Sequence, residues 1–147
     1  PEPGIVIEKF GADAVRLFLI SSPAVRADDL RFSERGVEVV LRQVLIPLWN
    51  AYTFLVTYAR IYKWKPSKTF KQPSALIDRW IISKLHKLIH DVEKGMDAYD
   101  LSLAVEPFVS FIDELTNWYI RRSRTRFWAD EDTLDRQEAF ETLFTRS

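Results

Sequence analysis

The 147-residue sequence has no cysteine, which removes disulfides, thiolate metal sites and cysteine nucleophiles together. That absence fits a reducing compartment. Glycine is scarce, at four residues, and no Gly-rich phosphate loop, nucleophile elbow, internal repeat or low-complexity tract is present. Net charge is also missing, because 21 Lys and Arg balance 21 Asp and Glu. No overall field therefore draws the chain to a polyanion, and any basic site has to come from local clustering. There is no uninterrupted run of about 18 apolar residues, so a membrane span is not expected. The opening PEPGIVIEKFG lacks both a Met and the basic-then-apolar layout of a signal peptide. Because the closing TLFTRS stops inside a helical pattern, both ends read as cuts through a longer chain.

What remains is a helical pattern. From Ser74, an expected N-cap, the residues Ile77, Ile81, Leu85, Leu88, Val92, Met96 and Tyr99 recur at steps of three and four, one stripe of a helix. Asp100 caps the next helix, whose stripe is Leu101, Ala104, Phe108, Phe111, Leu115 and Trp118. The short link at 98–100 implies an antiparallel hairpin. An earlier helix begins after Ser33, with Glu34 favourable in its first turn, and runs along Val37, Leu41, Val44, Leu48, Tyr52, Leu55, Tyr58 and Tyr62. Pro47 inside it predicts a kink, and Pro107 raises the same question further on. A last helix is expected over 132–144. Residues 12–20, ADAVRLFLI, lack a polar face and want burial on several sides. The expectation is thus all-α, an antiparallel helix bundle over 33–147, with 1–32 the border and linker of another domain.

Catalytic chemistry finds no support. His86 and His90 stand four apart, as a metal pair would, but HKLIH lacks the general-base Glu of HExxH, and solvated helix histidines explain them. Acidic neighbours such as Asp28 and Asp29 face different directions on a helix and serve capping or solvation.

Two clusters stand out. One is RIYKWKPSKTFK, Arg60 to Lys71, with Lys63, Lys65 and Lys68 among five cations and no acid. The other is NWYIRRSRTRFW, where Arg121, Arg122, Arg124 and Arg126 lie among Asn117, Trp118, Tyr119, Phe127 and Trp128. Guanidinium forks fit phosphates, and rings or Arg planes stack on bases, so this mixture suits RNA. Trp118, Arg122 and Arg126 step by four and share a face. A second reading stays open on these residues. Arginines late in a helix answer its dipole, the run Asp130, Glu131, Asp132 and Asp135 could pair with them, and Trp118 lies on the core stripe.

The run FIDELTNWYIRRSRTRFW resembles the anticodon-binding domain of isoleucyl-tRNA synthetases, as do ALIDRWIISKL, AYDLSLAV and QVLIPLWNAYTFLVTYA. Upstream, EKFGADAVRLFLISSPAVRADDLRFSERGV resembles the segment after the KMSKS loop in that family. Valyl relatives share the GADAVR-type helix and the bundle but resemble NWYIRRSR less. They remain the alternative, beside a helical protein-interaction scaffold. The resemblance implies a class I, cytoplasmic parent enzyme that uses ATP and Mg²⁺ to join isoleucine to its tRNA, with no membrane or DNA partner. HIGH-type and KMSKS-type motifs and the editing domain are absent, so this chain is not expected to be active alone or to hold a cofactor. Its partners would be tRNA and the rest of the parent. Carried over residue by residue, the RNA contacts would be Asn117, Arg121, Arg122, Arg124 and Arg126. Trp118 and Trp128 would serve as stacking or supporting rings, and Lys63, Lys65 and Lys68 would extend the footprint. Thr125 stands where many relatives have a further Arg, so the cationic run is broken there.

Overall fold

The structure, a computed structural model, describes residues 2–26, 28–29, 32–67, 72–128 and 133–145, with Arg26 described by its backbone alone. Among the described residues there is no strand. Two short helices, α1 (Pro3–Phe10) and α2 (Ala12–Ser21), meet at Gly11, whose φ of 86° suits a residue without Cβ. A tight 3₁₀ turn, Pro23–Arg26, follows. The long helix α3 (Glu34–Ile61) starts at Ser33, whose side chain accepts from the Gly36 amide as expected of a cap. Then come α4 (Leu76–Asp97), α5 (residues 101–127) and α6 (Leu134–Leu143).

The α4–α5 hairpin is the backbone of the bundle. Asp100 caps α5 by accepting from the Leu103 amide at 3.0 Å. Gly95 lets the two helices touch, since a Cβ there would lie 2.6 Å from the Ala104 amide nitrogen. The α4 stripe ends at Gly95. Met96 is exposed, and Tyr99, 94 % exposed, takes a left-handed φ of 54° to turn the chain, so neither joins the core as the periodicity had predicted. Ser74 does not cap α4. Its backbone N–H and hydroxyl both donate to Glu138 of α6, at 3.0 and 2.7 Å, and Ala75 occupies the cap position.

The proline kinks take another form. A π-helical turn, Leu41–Leu45, precedes Pro47, and the helix runs on through it. Pro47 donates no N–H and crowds the carbonyl one turn back, and the wider π turn accommodates both. A second π-helical stretch, Glu114–Ile120, interrupts α5, while Pro107 sits in regular helix before it. An extra residue in a turn rotates everything after it by about 100° relative to an unbroken α-helix. Leu48 and Tyr52, predicted to be inside, are consequently exposed, and Ala51 is buried instead. On α5, Trp118 is 48 % exposed while Tyr119 and Ile120 turn inward.

Ala51, Ile81, Tyr119 and Ile120 form the centre of the bundle. Phe127, Ala139 and Phe140 form a second cluster, with Tyr58, Tyr62 and Trp64 of the α3 end packed on it. A third joins Val6 and Ala14 to Val37, so α1 and α2 share a core with the first turns of α3. α2 also packs against α5, which partly meets its need for burial, although Leu19 and Ile20 stay exposed.

The expectation of no membrane-length segment needs correction. By length and composition α3 could cross a bilayer, with a mean hydropathy of 1.4 in its most apolar window. Pattern reading missed this because Arg42, Gln43 and Asn50 interrupt the apolar letters without lowering the average far. Helices of soluble proteins pass the same test.

Candidate nucleic-acid interface

The π stretch of α5 divides the residues of NWYIRRSRTRFW into an inner and an outer set. Tyr119, Ile120, Ser123 and Phe127 are buried, whereas Asn117, Trp118, Arg121, Arg122, Arg124, Thr125 and Trp128 are exposed. Arg126 goes with the inner set, its side chain only 13 % exposed. Its guanidinium forks onto Asp78, Nη1 to Oδ1 and Nη2 to Oδ2, both at 2.7 Å. Asp78 is fully buried in the first turn of α4 and also accepts from the Tyr119 hydroxyl at 2.8 Å. Asp135, in the first turn of α6, takes Arg126 Nε at 2.8 Å. Burial and the neighbouring Asp78 carboxylate push the Tyr119 hydroxyl well above the usual tyrosine range. For Arg126 burial works against the charge, but the hydrogen bonds to Asp78 and Asp135 outweigh it and hold the guanidinium above its ordinary value. Arg126 is therefore spent on tying three helices together and does not share the face of Trp118 and Arg122.

Among the described residues Arg121, Arg122 and Arg124 form no ion pair with a carboxylate. The acidic run that could answer them is represented by Asp135, which takes Arg126, while Asp130, Glu131 and Asp132 lie outside the described residues. Arg122 stacks over the exposed indole of Trp118, its guanidinium carbon 3.7 Å from the ring centroid. Trp80 of α4 lies next to that indole at 6.5 Å, and Lys84 sits 5.6 Å over Trp80 while paired with Glu114 at 2.7 Å.

On the other side of Trp118, a groove runs between α3 and α5. Two adjoining hollows of about 290 and 320 Å³ share Pro47, Thr116 and Asn117. Arg42 and Gln43 come from the π turn of α3, Thr116 and Asn117 from that of α5, so both irregular turns open onto one groove. π turns of this kind recur at functional sites. Asn117 is held by Asp113, to which its side-chain amide donates at 2.6 Å. Asn50, Phe54, Ile120 and Arg124 complete the further end. The groove thus offers three side-chain amides, apolar walls and two arginines, Arg42 paired with Glu38 and Arg124 in no ion pair among the described residues.

The remaining candidates are scattered. Trp128 is half exposed and leans on Tyr58 at 6.2 Å, a supporting position. Lys63 and Lys65 are exposed in the turn after α3, where Trp64 stacks on Phe140 of α6 at 5.3 Å. They border a polar hollow of about 300 Å³ with Arg136 and Glu141 and are not part of the α3–α5 groove. Lys68 lies outside the described residues. His86 and His90 are exposed on α4, and among the described residues no three His, Cys, Asp or Glu converge as a metal site.

Asp78, Asn50 and Trp80 escaped the sequence reading. For Asp78 a signal existed. It stands three residues before Ile81 on the apolar stripe, a phase in which a carboxylate needs a buried partner. Asn50 and Trp80 carry no comparable mark.

Residues 78–145 match the anticodon-binding domain of tRNA ligase. The isoleucine–tRNA ligase of Protochlamydia amoebophila (strain UWE25) is 65 % identical over 144 residues, 98 % of this chain and 14 % of that protein. Over nearly its whole length the chain is thus similar to isoleucine–tRNA ligases. The isoleucine–tRNA ligases of Chlamydia trachomatis serovar D and Chlamydia pneumoniae are 54 % and 51 % identical over the same share of each chain. The chain spans about 14 % of the length of these relatives, and the stretch matching the anticodon-binding domain holds both the Asp78 clamp and the whole of NWYIRRSRTRFW.

Proposed function

We propose that this chain binds the anticodon stem-loop of tRNA(Ile) within a parent enzyme that joins isoleucine to that tRNA. The observation that carries the reading is the outward-facing set Arg121, Arg122 and Arg124. These cations are exposed and form no ion pair among the described residues, and Arg122 lies on the Trp118 ring while Arg124 lines the Asn117 groove. The guanidinium groups take phosphates and set the register of the stem-loop. Trp118, with Arg122 on its face, offers a stacking platform, and the groove accepts an unstacked base by its hydrogen-bonding edge, the usual way single-stranded RNA is read. Lys63, Lys65 and Lys68 extend the field from the end of α3, and Trp128 supports the edge of the surface. Isoleucine activation with ATP and Mg²⁺ belongs, in this proposal, to other parts of a cytoplasmic parent. Residues 1–32 are read as the border of the catalytic domain, with 33–147 as the anticodon-binding part.

The test is a titration of tRNA(Ile) against the full-length parent at several salt concentrations. Affinity should fall with salt, and each of Arg121→Ala, Arg122→Ala and Arg124→Ala should reduce the log–log slope by about 0.7 to 0.9, the share of one phosphate contact. An affinity flat with salt, or slopes unchanged by all three variants, refutes the assignment. Competition by tRNA(Val) separates the isoleucine from the valine reading. The exposed apolar residues Ile46, Leu48 and Trp49 of α3 favour a second, protein-binding role for that helix, which would show as association insensitive to salt.

A further inference from the structure

Asp78 lies nowhere near solvent, yet every hydrogen bond described for its side chain leads to the helix that carries the RNA candidates. Its Oδ1 receives the Tyr119 hydroxyl at 2.8 Å and Arg126 Nη1 at 2.7 Å, and its Oδ2 receives Arg126 Nη2 at 2.7 Å. Tyr119 belongs to the π stretch Glu114–Ile120, and Arg126 to the regular turns Arg121–Phe127 that follow it. The two pins therefore stand on either side of Arg121, Arg122 and Arg124, with Asn117 and Trp118 directly before the first of them. A π turn can be accommodated at neighbouring positions along a helix. Each residue it passes in shifting turns by about 100°, while loss of the turn would rotate everything after it by that angle. Two pins seven residues apart on one buried carboxylate admit a single phase. A bidentate fork adds direction as well as distance, because the guanidinium and carboxylate planes must match. Asp135 extends the same control to α6 by holding Arg126 Nε at 2.8 Å.

We infer that Asp78 is a positioning residue for RNA recognition. It acts through Tyr119 and Arg126 to fix which arginines, and which faces of Asn117 and Trp118, point outward. This rests on the reading of the outer set as the RNA surface, but it concerns residues that touch no RNA.

The experiment uses the full-length parent. Arg126→Lys keeps the charge and removes the fork, and Tyr119→Phe removes a single hydroxyl, so the second still tests the idea if the first fails to fold. Ile81→Val, in the same core cluster but outside the hydrogen-bonded set, is the control for plain loss of stability. The quantities read are KM and kcat for tRNA charging, together with isoleucine-dependent ATP–pyrophosphate exchange, which needs no tRNA. Loosening a positioning group by a fraction of an ångström should raise KM for tRNA on the order of tenfold. The exchange rate and kcat should stay as they were, and Ile81→Val should leave KM alone. If Arg122→Ala and Arg124→Ala raise KM while Arg126→Lys and Tyr119→Phe do not, the positioning role is overturned and the RNA surface stands. If Ile81→Val raises KM as much as the two clamp variants, the effect is general loosening and the inference also falls. If Arg122→Ala and Arg124→Ala leave KM unchanged, the RNA reading itself fails and takes this one with it.

Discussion

Replacing Arg126 by Met would remove the guanidinium and keep much of the side-chain volume. Asp78 would then remain fully buried with the Tyr119 hydroxyl as its one described donor, having lost two charge-assisted bonds of 2.7 Å. Removing one partner of a buried ion pair costs about 3–5 kcal/mol, because the other charge is left uncompensated. The low exposure of both partners puts Arg126→Met in that range. Asp78→Leu should fall lower, since Arg126 keeps Asp135, itself half exposed. The combined variant Asp78→Leu, Tyr119→Phe, Arg126→Met removes every polar group of the clamp at once. It should lie within about 1–2 kcal/mol of the parent chain or above it, because well-packed apolar side chains often replace such sets without loss. Urea unfolding followed by circular dichroism measures this. With a slope of about 2 kcal/mol per molar, the single Arg126 variant should unfold roughly 1.5–2.5 M earlier. A loss below about 1 kcal/mol, the worth of an exposed pair, would mean that the clamp is solvated and the reasoning wrong.

Gly95→Ala tests the close approach of the hairpin. The gain in helix propensity of up to about 1 kcal/mol is opposed by overpacking of about 1–3 kcal/mol, since the neighbour is the backbone of Ala104 and cannot swing away. A net fall in Tm is expected, and a rise would show that α4 and α5 separate freely. The raised Tyr119 hydroxyl gives a pH signature. A group whose folded pKa is raised contributes stability that is fully present below its unfolded value, near pH 10, and is lost as pH climbs above it. The urea midpoint of the wild-type chain should therefore drop more steeply above about pH 10 than that of Tyr119→Phe, and parallel profiles would contradict the buried hydroxyl.

The helices were legible wherever one periodicity ran unbroken. Ile81 and Leu88 face inward as their spacing requires, and Ser33, Asp100 and the α4–α5 hairpin stand where the capping and loop signals put them. The failures cluster after the π turns. Leu48 and Tyr52 follow the first and Trp118 lies in the second, and each was assigned to the core by counting at 3.6 residues per turn. Pro47 marks the first disturbance without giving its form, and no such residue lies within the second π stretch, Glu114–Ile120. The sequence letters before Tyr119 therefore cannot say that it, rather than Trp118, points inward. The RNA candidates were legible as a composition and not as a geometry. RRSRTR looks like a uniform cationic run until Ser123 and Arg126 are seen to belong to the inside. Ser74 failed for another reason. A cap oxygen accepts from an amide of the first turn and so works only at the cap position, which Ala75 holds here, while the Ser74 N–H and hydroxyl both donate to Glu138, 64 residues away.

The inner and outer division of α5 also limits what its charge can do. Counting letters would credit this helix end with four phosphate contacts, but Arg126 is already held by two carboxylates and releases no counterion when RNA arrives. Thr125 is exposed, so the break in the cationic run falls on the outer face and not in the clamp. Three arginines are left, and they do not stand in one row. Arg124 opens onto the groove beside α3, Arg122 lies on Trp118 toward α4, and Arg121 stands directly before Arg122 in the same helical turn. A ligand satisfying both Arg122 and Arg124 must therefore pass across the helix at Trp118 and Asn117. That is the path of a bent single strand, whose backbone crosses the ridge while its bases fall to either side.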